Sequence, residues 1–190
     1  MSPLARFFLV ITFILTGFLT AFSQGEDNSL KGAPLKDRIV TGGGLGLGFG
    51  SVQDYFSVSP VIGYRLTTKL LAGTGVTYRY TNYKFRKPSI KLNDYGLNPF
   101  LRFTVYRNIF IQTEYEYLNY EFPIYPYVET TRRNFNSFLA GGGFVQPIGN
   151  RLSFYLMALY NFSYRETTQY SPYDSPIVLR AGINIGALSF

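Results

Sequence analysis

Pro176-Ile177-Val178-Leu179-Arg180-Ala181-Gly182-Ile183-Asn184-Ile185-Gly186-Ala187-Leu188-Ser189-Phe190 is the stretch on which the fold turns. Ile177, Leu179, Ala181, Ile183 and Ile185 alternate with Arg180, Gly182, Asn184 and Gly186, which is the period of a strand with one apolar and one polar face. The run follows turn residues at Asp174 to Pro176 and ends on the aromatic Phe190. If such a strand closes a sheet in lipid, the chain needs an export signal, an even number of strands, and turns that are short on one side and long on the other.

The N-terminus supplies the first of these. Arg6 and the α-amino group precede an uncharged run from Phe7 to Thr20, and Ala21-Phe22-Ser23 places small residues where a signal peptidase reads. The reading is a cleaved signal peptide over 1–23. An N-terminal anchor is the competing reading, but the run is shorter than the roughly 20 apolar residues of a spanning helix. Residues 24–38 carry Gly, Pro and mixed charge without periodicity, and read as a flexible lead into the first strand.

Composition narrows the class. Hydrophobic residues make up 46% of the chain and aromatics 18%, the latter all Tyr and Phe because Trp is absent. There is no Cys, so disulfides cannot hold an exported fold together, and stability must come from hydrogen-bond closure and burial. With neither His nor Cys, histidine triads, thiolate nucleophiles and most zinc or iron sites are excluded. The net charge of +7 is dispersed along the chain, and a nucleic-acid surface would concentrate it. No catalytic, cofactor or metal residue is assigned.

From Ile39 onward, alternation gives eight strands, near 39–49, 55–66, 69–80, 95–106, 109–121, 135–146, 151–164 and 176–190. The connections after the second, fourth and sixth are short, and so, as an exception, is the first, near 50–54. Those after the third, fifth and seventh are longer, near 81–94, 122–134 and 165–175. That is the rhythm of an up-and-down barrel with tight turns at one end and loops at the other. Pro60 and Pro99 fall inside strands, where the missing N–H predicts local bulges.

The charges choose between the two ways of folding such a sheet. Arg65, Arg79, Arg102, Glu114, Glu116 and Arg180 share the polar face with Gly63, Gly73, Gly75, Gly182 and Gly186. On a solvent-exposed face those glycines weaken strands for no gain. Facing a narrow lumen, they make room for long Arg side chains paired with Glu114 and Glu116. The tyrosines of the apolar face, Tyr64, Tyr78, Tyr80, Tyr95, Tyr115, Tyr117, Tyr160 and Tyr164, lie mostly near strand ends, as in an aromatic girdle. Glu114 and Glu116 could form an acid/base pair, but they read better as buried counter-ions. The glycine runs at 42–48 and 141–143 lack dinucleotide-binding spacing.

With these features the chain resembles the small eight-stranded outer-membrane barrels of the OmpA and OmpX type, and the generic porin-like outer-membrane barrel domain. The resemblance covers 39–190 and implies an all-β, transmembrane, antiparallel eight-stranded barrel in the outer membrane of a Gram-negative (diderm) bacterium. It implies a C-terminal assembly signal at Phe190, read by the barrel-assembly machinery, and outer-membrane lipid and lipopolysaccharide as surroundings. The basic cluster Lys84, Arg86, Lys87, Lys91 is the candidate contact for lipopolysaccharide phosphates. The expected role is non-enzymatic, either structural or binding and adhesion through the loops, with the lumen filled by side chains and no cofactor. A narrow porin-like channel is the first alternative; a membrane-embedded lipid-modifying enzyme and a soluble lipid carrier with reversed faces are the others.

Overall fold

Eight strands pair in sequence order and the last returns to the first, closing an antiparallel up-and-down barrel. The computed structural model describes residues 30, 32–49, 53–84, 89–124, 129–165, 172–173 and 175–186. The expected signal peptide, Arg86, Lys87 and Phe190 lie outside the described residues. The strands are β1 (Ile39–Phe49), β2 (Gln53–Arg65), β3 (Leu70–Tyr83), β4 (Ile90–Tyr106), β5 (Ile109–Ile124), β6 (Glu129–Pro147), β7 (Leu152–Asn161) and β8 (Ile177–Gly186). The lead contributes one helical turn, Leu35–Arg38. Arg38 fastens it to the barrel by donating to the Tyr64 hydroxyl at 3.0 Å and to the Leu30 carbonyl.

The alternation read from sequence becomes two walls. Along β4, Tyr95, Leu97, Pro99 and Leu101 are exposed while Asp94, Gly96, Asn98 and Phe100 are buried. In β5 and β7 the same two-residue rhythm runs for most of the strand. Exposed apolar side chains ring the outside: Ile62, Val76, Leu101, Ile109, Phe138, Leu156, Leu179 and Ile183 are all more than 40% accessible. The barrel is therefore apolar on its outer surface.

Strand ends depart from expectation in a consistent direction. β3 and β4 continue to Tyr83 and from Ile90, and β5 and β6 to Ile124 and from Glu129, so the connections expected at 81–94 and 122–134 are mostly ladder. In these upper rungs polar residues enter the outward rows: Asn93 follows Leu97 and Leu101, Asn119 follows Ile111 and Tyr117, and Asn134 follows Phe138 and Phe144. Apolar alternation stops there, although hydrogen-bond pairing does not. β7, by contrast, ends at Asn161, where its side chain accepts the Ser163 N–H at 2.9 Å and turns the chain.

The two strand prolines do not produce the expected bulges. Pro60 stays in register with Gly43, and Pro99 with Thr74. Each leaves a gap in the ladder on its other side, with the register the same above and below it. A missing N–H deletes a rung without shifting its neighbours. The register shift in the β4–β5 ladder falls instead between Thr104 and Tyr106, beside the tight turn.

That turn, Arg107-Asn108, carries the one left-handed non-glycine residue among those described, Arg107 at φ 43°. An L side chain there costs about 1–2 kcal/mol, and Asn tolerates the conformation better. Arg107→Asn is expected to raise the urea midpoint of the refolded protein, corresponding to about 0.5–1 kcal/mol; a lowered midpoint would show that the Arg107 guanidinium, 5.2 Å from the Tyr106 ring, holds the turn instead.

Candidate functional site in the barrel lumen

Every lumenal position on β3, β4, β5 and β8 is two residues from the next, so Arg79, Asn98, Arg102, Gln112, Glu114, Glu116 and Arg180 project into one space. Arg180 crosses the lumen from β8 to β5. Its Nη1 lies 2.5 Å from Glu114 Oε1 and its Nη2 lies 3.3 Å from Glu116 Oε1. Asn98 Nδ2 donates to both carboxylates at 2.9 Å. Gln112 donates to Glu114 Oε2 at 3.1 Å and accepts from Arg102 Nε at 2.8 Å. One chain of hydrogen bonds thus links Arg102, Gln112, Glu114, Arg180, Glu116 and Asn98.

A second pair sits nearer the loop end. Arg79 Nε meets Asp94 Oδ2 at 2.8 Å, and Asp94 Oδ1 accepts the Glu121 backbone N–H at 3.0 Å. Glu121 itself points outward, where Oε2 binds Arg132 at 2.8 Å and the Asn93 N–H at 2.8 Å. Arg65 stands apart, at the turn end, on a small cavity of about 50 Å³. The six lumenal charges of the sequence reading therefore fall into three places. Arg102, Glu114, Glu116 and Arg180 are joined, Arg79 pairs with Asp94, and Arg65 lies below them.

The lumenal wall is less polar than the sequence suggested. Phe100, Phe110, Leu118, Leu139, Tyr155, Met157 and Leu159 are buried inside, and Phe110 and Leu159 are 1% accessible. The rings enclose a cation: the Arg102 guanidinium carbon lies 4.2 Å from the Phe110 centroid, 5.2 Å from Tyr155 and 5.7 Å from Phe100. Two of the lumenal glycines, Gly73 and Gly182, make room for these rings, and none of the five lies against an arginine. A Cβ at Gly73 would sit 2.6 Å from Phe100 Cζ, and one at Gly182 would sit 2.6 Å from the Tyr155 hydroxyl. Asp94 escapes the sequence reading because it falls in the connection expected at 81–94, and Asn98, Gln112 and the aromatic cage escape it because strand parity alone does not single out uncharged side chains. Asn98 and Gln112 share that parity with Arg102 and Glu114.

Arg102 also divides the interior. It borders both the cavity near the turns and a larger one of about 360 Å³ above, which is lined by Ser57, Thr77, Asn98 and the Glu114–Glu116–Arg180 cluster. Among the described residues no group of His, Cys, Asp or Glu is placed to hold a metal ion. Of the basic cluster in the β3–β4 connection, Lys84 pairs with Asp54 at 2.7 Å and Lys91 is exposed on β4.

No family model and no curated protein matches the chain. Among solved structures it is similar to the N-terminal β-barrel domain of Pseudomonas aeruginosa OprF, at 13% identity and a TM-score of 0.45, over 79% of this chain and 97% of that one.

Breaking the central cluster leaves a buried guanidinium short of a partner. Glu114→Ala is expected to destabilise the refolded barrel by about 3 kcal/mol, read as a lower urea midpoint for the compact band on unheated gels. Glu129→Ala, at an exposed position, serves as the control. Equal midpoints for the two variants would contradict the account of the lumen.

Proposed function

We propose that the chain is an integral outer-membrane β-barrel with a structural or loop-mediated binding role, a closed lumen and no enzymatic activity. The observation that carries this reading is the pairing of opposite walls on one closed sheet. A continuous apolar exterior surrounds an interior that holds arginines and carboxylates in mutual contact. In water the exterior is a large exposed apolar patch without a partner. In a bilayer it is the expected solvent-facing surface, and strand closure leaves few backbone groups to satisfy.

The aromatic positions give the exterior a height. Tyr95 and Tyr106, both outward and exposed on β4, bracket the apolar part of that strand. At the usual rise and tilt their separation projects to about 28 Å, close to the apolar band of about 25 Å in outer-membrane barrels. Tyr115, Tyr117 and Tyr160 join Tyr95 toward the loop end. Above them the β5–β6 ladder continues through Asn119↔Asn134 and Glu121↔Arg132 to Ile124↔Glu129, a polar stem suited to surface contacts. Export through a cleaved signal peptide, assembly through the C-terminal strand, and lipopolysaccharide contact through Lys84, Arg86, Lys87 and Lys91 belong to the same proposal.

The cavities favour the narrow channel as the second reading, because only a thin layer, Arg102 with Val40, Leu71 and Asn184, borders both of them. Two measurements separate the possibilities. The protein is expected to stay with membranes through alkaline carbonate and to give no steady current in planar bilayers; release by carbonate would overturn the membrane reading. Steady openings of the unmodified protein would favour the channel, whereas openings that arise only in Arg102→Ala would support a closed lumen in which that guanidinium is the barrier.

A further inference from the structure

The barrel is not closed equally well all the way round. β1 pairs with β2 over eleven rungs and β7 with β8 over nine, but β1 meets β8 over only four, from Val40↔Gly186 to Gly43↔Ile183. β1 nevertheless continues to Phe49 along β2, and β8 starts at Ile177 along β7. Between these segments no rung joins the described residues.

The larger cavity reaches this seam. Its wall includes Leu45, Leu179 and Ala181, which point outward, together with Ser57, Glu116 and Arg180 from the lumen. Leu45 and Leu179 are 75% and 72% accessible, the highest values among the described large apolar side chains. Pro172 and Tyr173, from the β7–β8 connection, line the same cavity. The space thus touches both the polar interior and the apolar exterior.

Two polar demands converge there. Strand edges without a ladder are not stable facing lipid, and at membrane depth such backbone is tolerated where it lines an occupied or wet cavity. Glu116 Oε2, on the wall of that cavity, is buried without a hydrogen-bond partner, although Oε1 of the same carboxylate is doubly engaged. A buried acceptor of this kind asks for a donor. An apolar entrance, a polar chamber and a carboxylate oxygen with spare capacity describe a site for a bilayer amphiphile.

We propose that the upper β1–β8 seam is a lateral portal that binds a single-chain amphiphile whose head carries hydrogen-bond donors, an ammonium or hydroxyl group. The head enters the lumen toward Glu116, and the alkyl chain leaves between Leu45 and Leu179 into the surrounding acyl chains. A Cβ at Gly44 would lie 3.0 Å from the Ala181 carbonyl, so the two strands still touch at that level and the passage lies above it. This inference rests on the bilayer reading above.

The test uses the refolded protein in phospholipid vesicles and two photoreactive probes, each mapped by mass spectrometry. A phospholipid with a diazirine on its acyl chain reports embedding by labelling Leu101 and Leu156. A dodecylamine with a diazirine beside the amine reports the portal by labelling lumenal residues such as Ser57 and Thr77. Because the chain has no cysteine, Leu45→Cys combined with Ala181→Cys introduces the sole thiols, on facing outward positions of the seam. Oxidising that pair is expected to cut lumenal labelling about tenfold, and reduction to restore it. A control pair across an intact ladder, Leu101→Cys with Thr113→Cys, is expected to leave labelling unchanged.

Acyl-chain labelling of the belt with amine labelling absent from the lumen would overturn the portal and leave the bilayer reading standing. Absence of belt labelling would overturn the bilayer reading itself. Lumenal labelling unaffected by an oxidised seam would show entry from the loop end and overturn the lateral route. If the seam thiols fail to join, the amine pattern of the unmodified protein decides alone: lumenal label supports the site, and label confined to the exterior overturns it. Equal lumenal labelling by the corresponding dodecanoate would overturn the assignment of a donor head.

Discussion

Closure of an eight-stranded sheet leaves an interior just wide enough for side chains, and that narrowness governs the rest of the molecule. Charges placed there have little water to solvate them, so they need partners on the neighbouring strand or across the lumen. Arg180 reaches its partners by spanning from β8 to Glu114 and Glu116 on β5, where Asn98 donates to the same two oxygens and Gln112 to the second oxygen of Glu114. The strands that carry these groups are held at fixed register by long ladders, above all the sixteen rungs of β5 and β6. Sheet geometry and electrostatics therefore constrain each other.

The same narrowness explains the uneven distribution of bulk. On the β1 to β3 side the lumenal positions are often glycine or small polar residues. From β4 to β7 they include Phe100, Phe110, Leu118, Leu139, Tyr155, Met157 and Leu159. Large side chains lie over glycines on the neighbouring strand, as Phe100 does over its cross-strand partner Gly73. Arg102 sits where the rings meet. Its Nε is satisfied by Gln112 while its guanidinium lies against the Phe110 and Tyr155 rings, so a charged group also fills the middle of the barrel. What space remains collects above it and toward the β1–β8 seam.

Much of this was legible in the sequence, for a definite reason. A period of two survives in any strand with unlike faces, so strand number, order and outward side chains such as Leu97, Leu101 and Leu156 follow from alternation. The inward position of Arg180 and Glu114 follows from the cost of placing them in lipid. Where the outward residue changes from apolar to polar, as at Asn93 and Asn134, the signal vanishes although the ladder continues, so alternation reads the upper hairpins as loops. The aromatic cage was hidden because Phe and Tyr satisfy an apolar outer wall as readily as a packed lumen. The thin seam was hidden because pairing between the first and last strands is a property of closure, and local periodicity does not record it.

Absence of tryptophan from the chain makes the central claim directly measurable. Leu101→Trp, on the outer wall, and Met157→Trp, within the lumen, each introduce a single emitter into vesicles of phospholipids brominated along their acyl chains. The account predicts strong bromine quenching of the emitter at 101 and little at 157, with neither quenched appreciably by aqueous iodide. An emitter at 101 that escapes bromine and is quenched by iodide would contradict the arrangement of apolar wall outward and charged groups within.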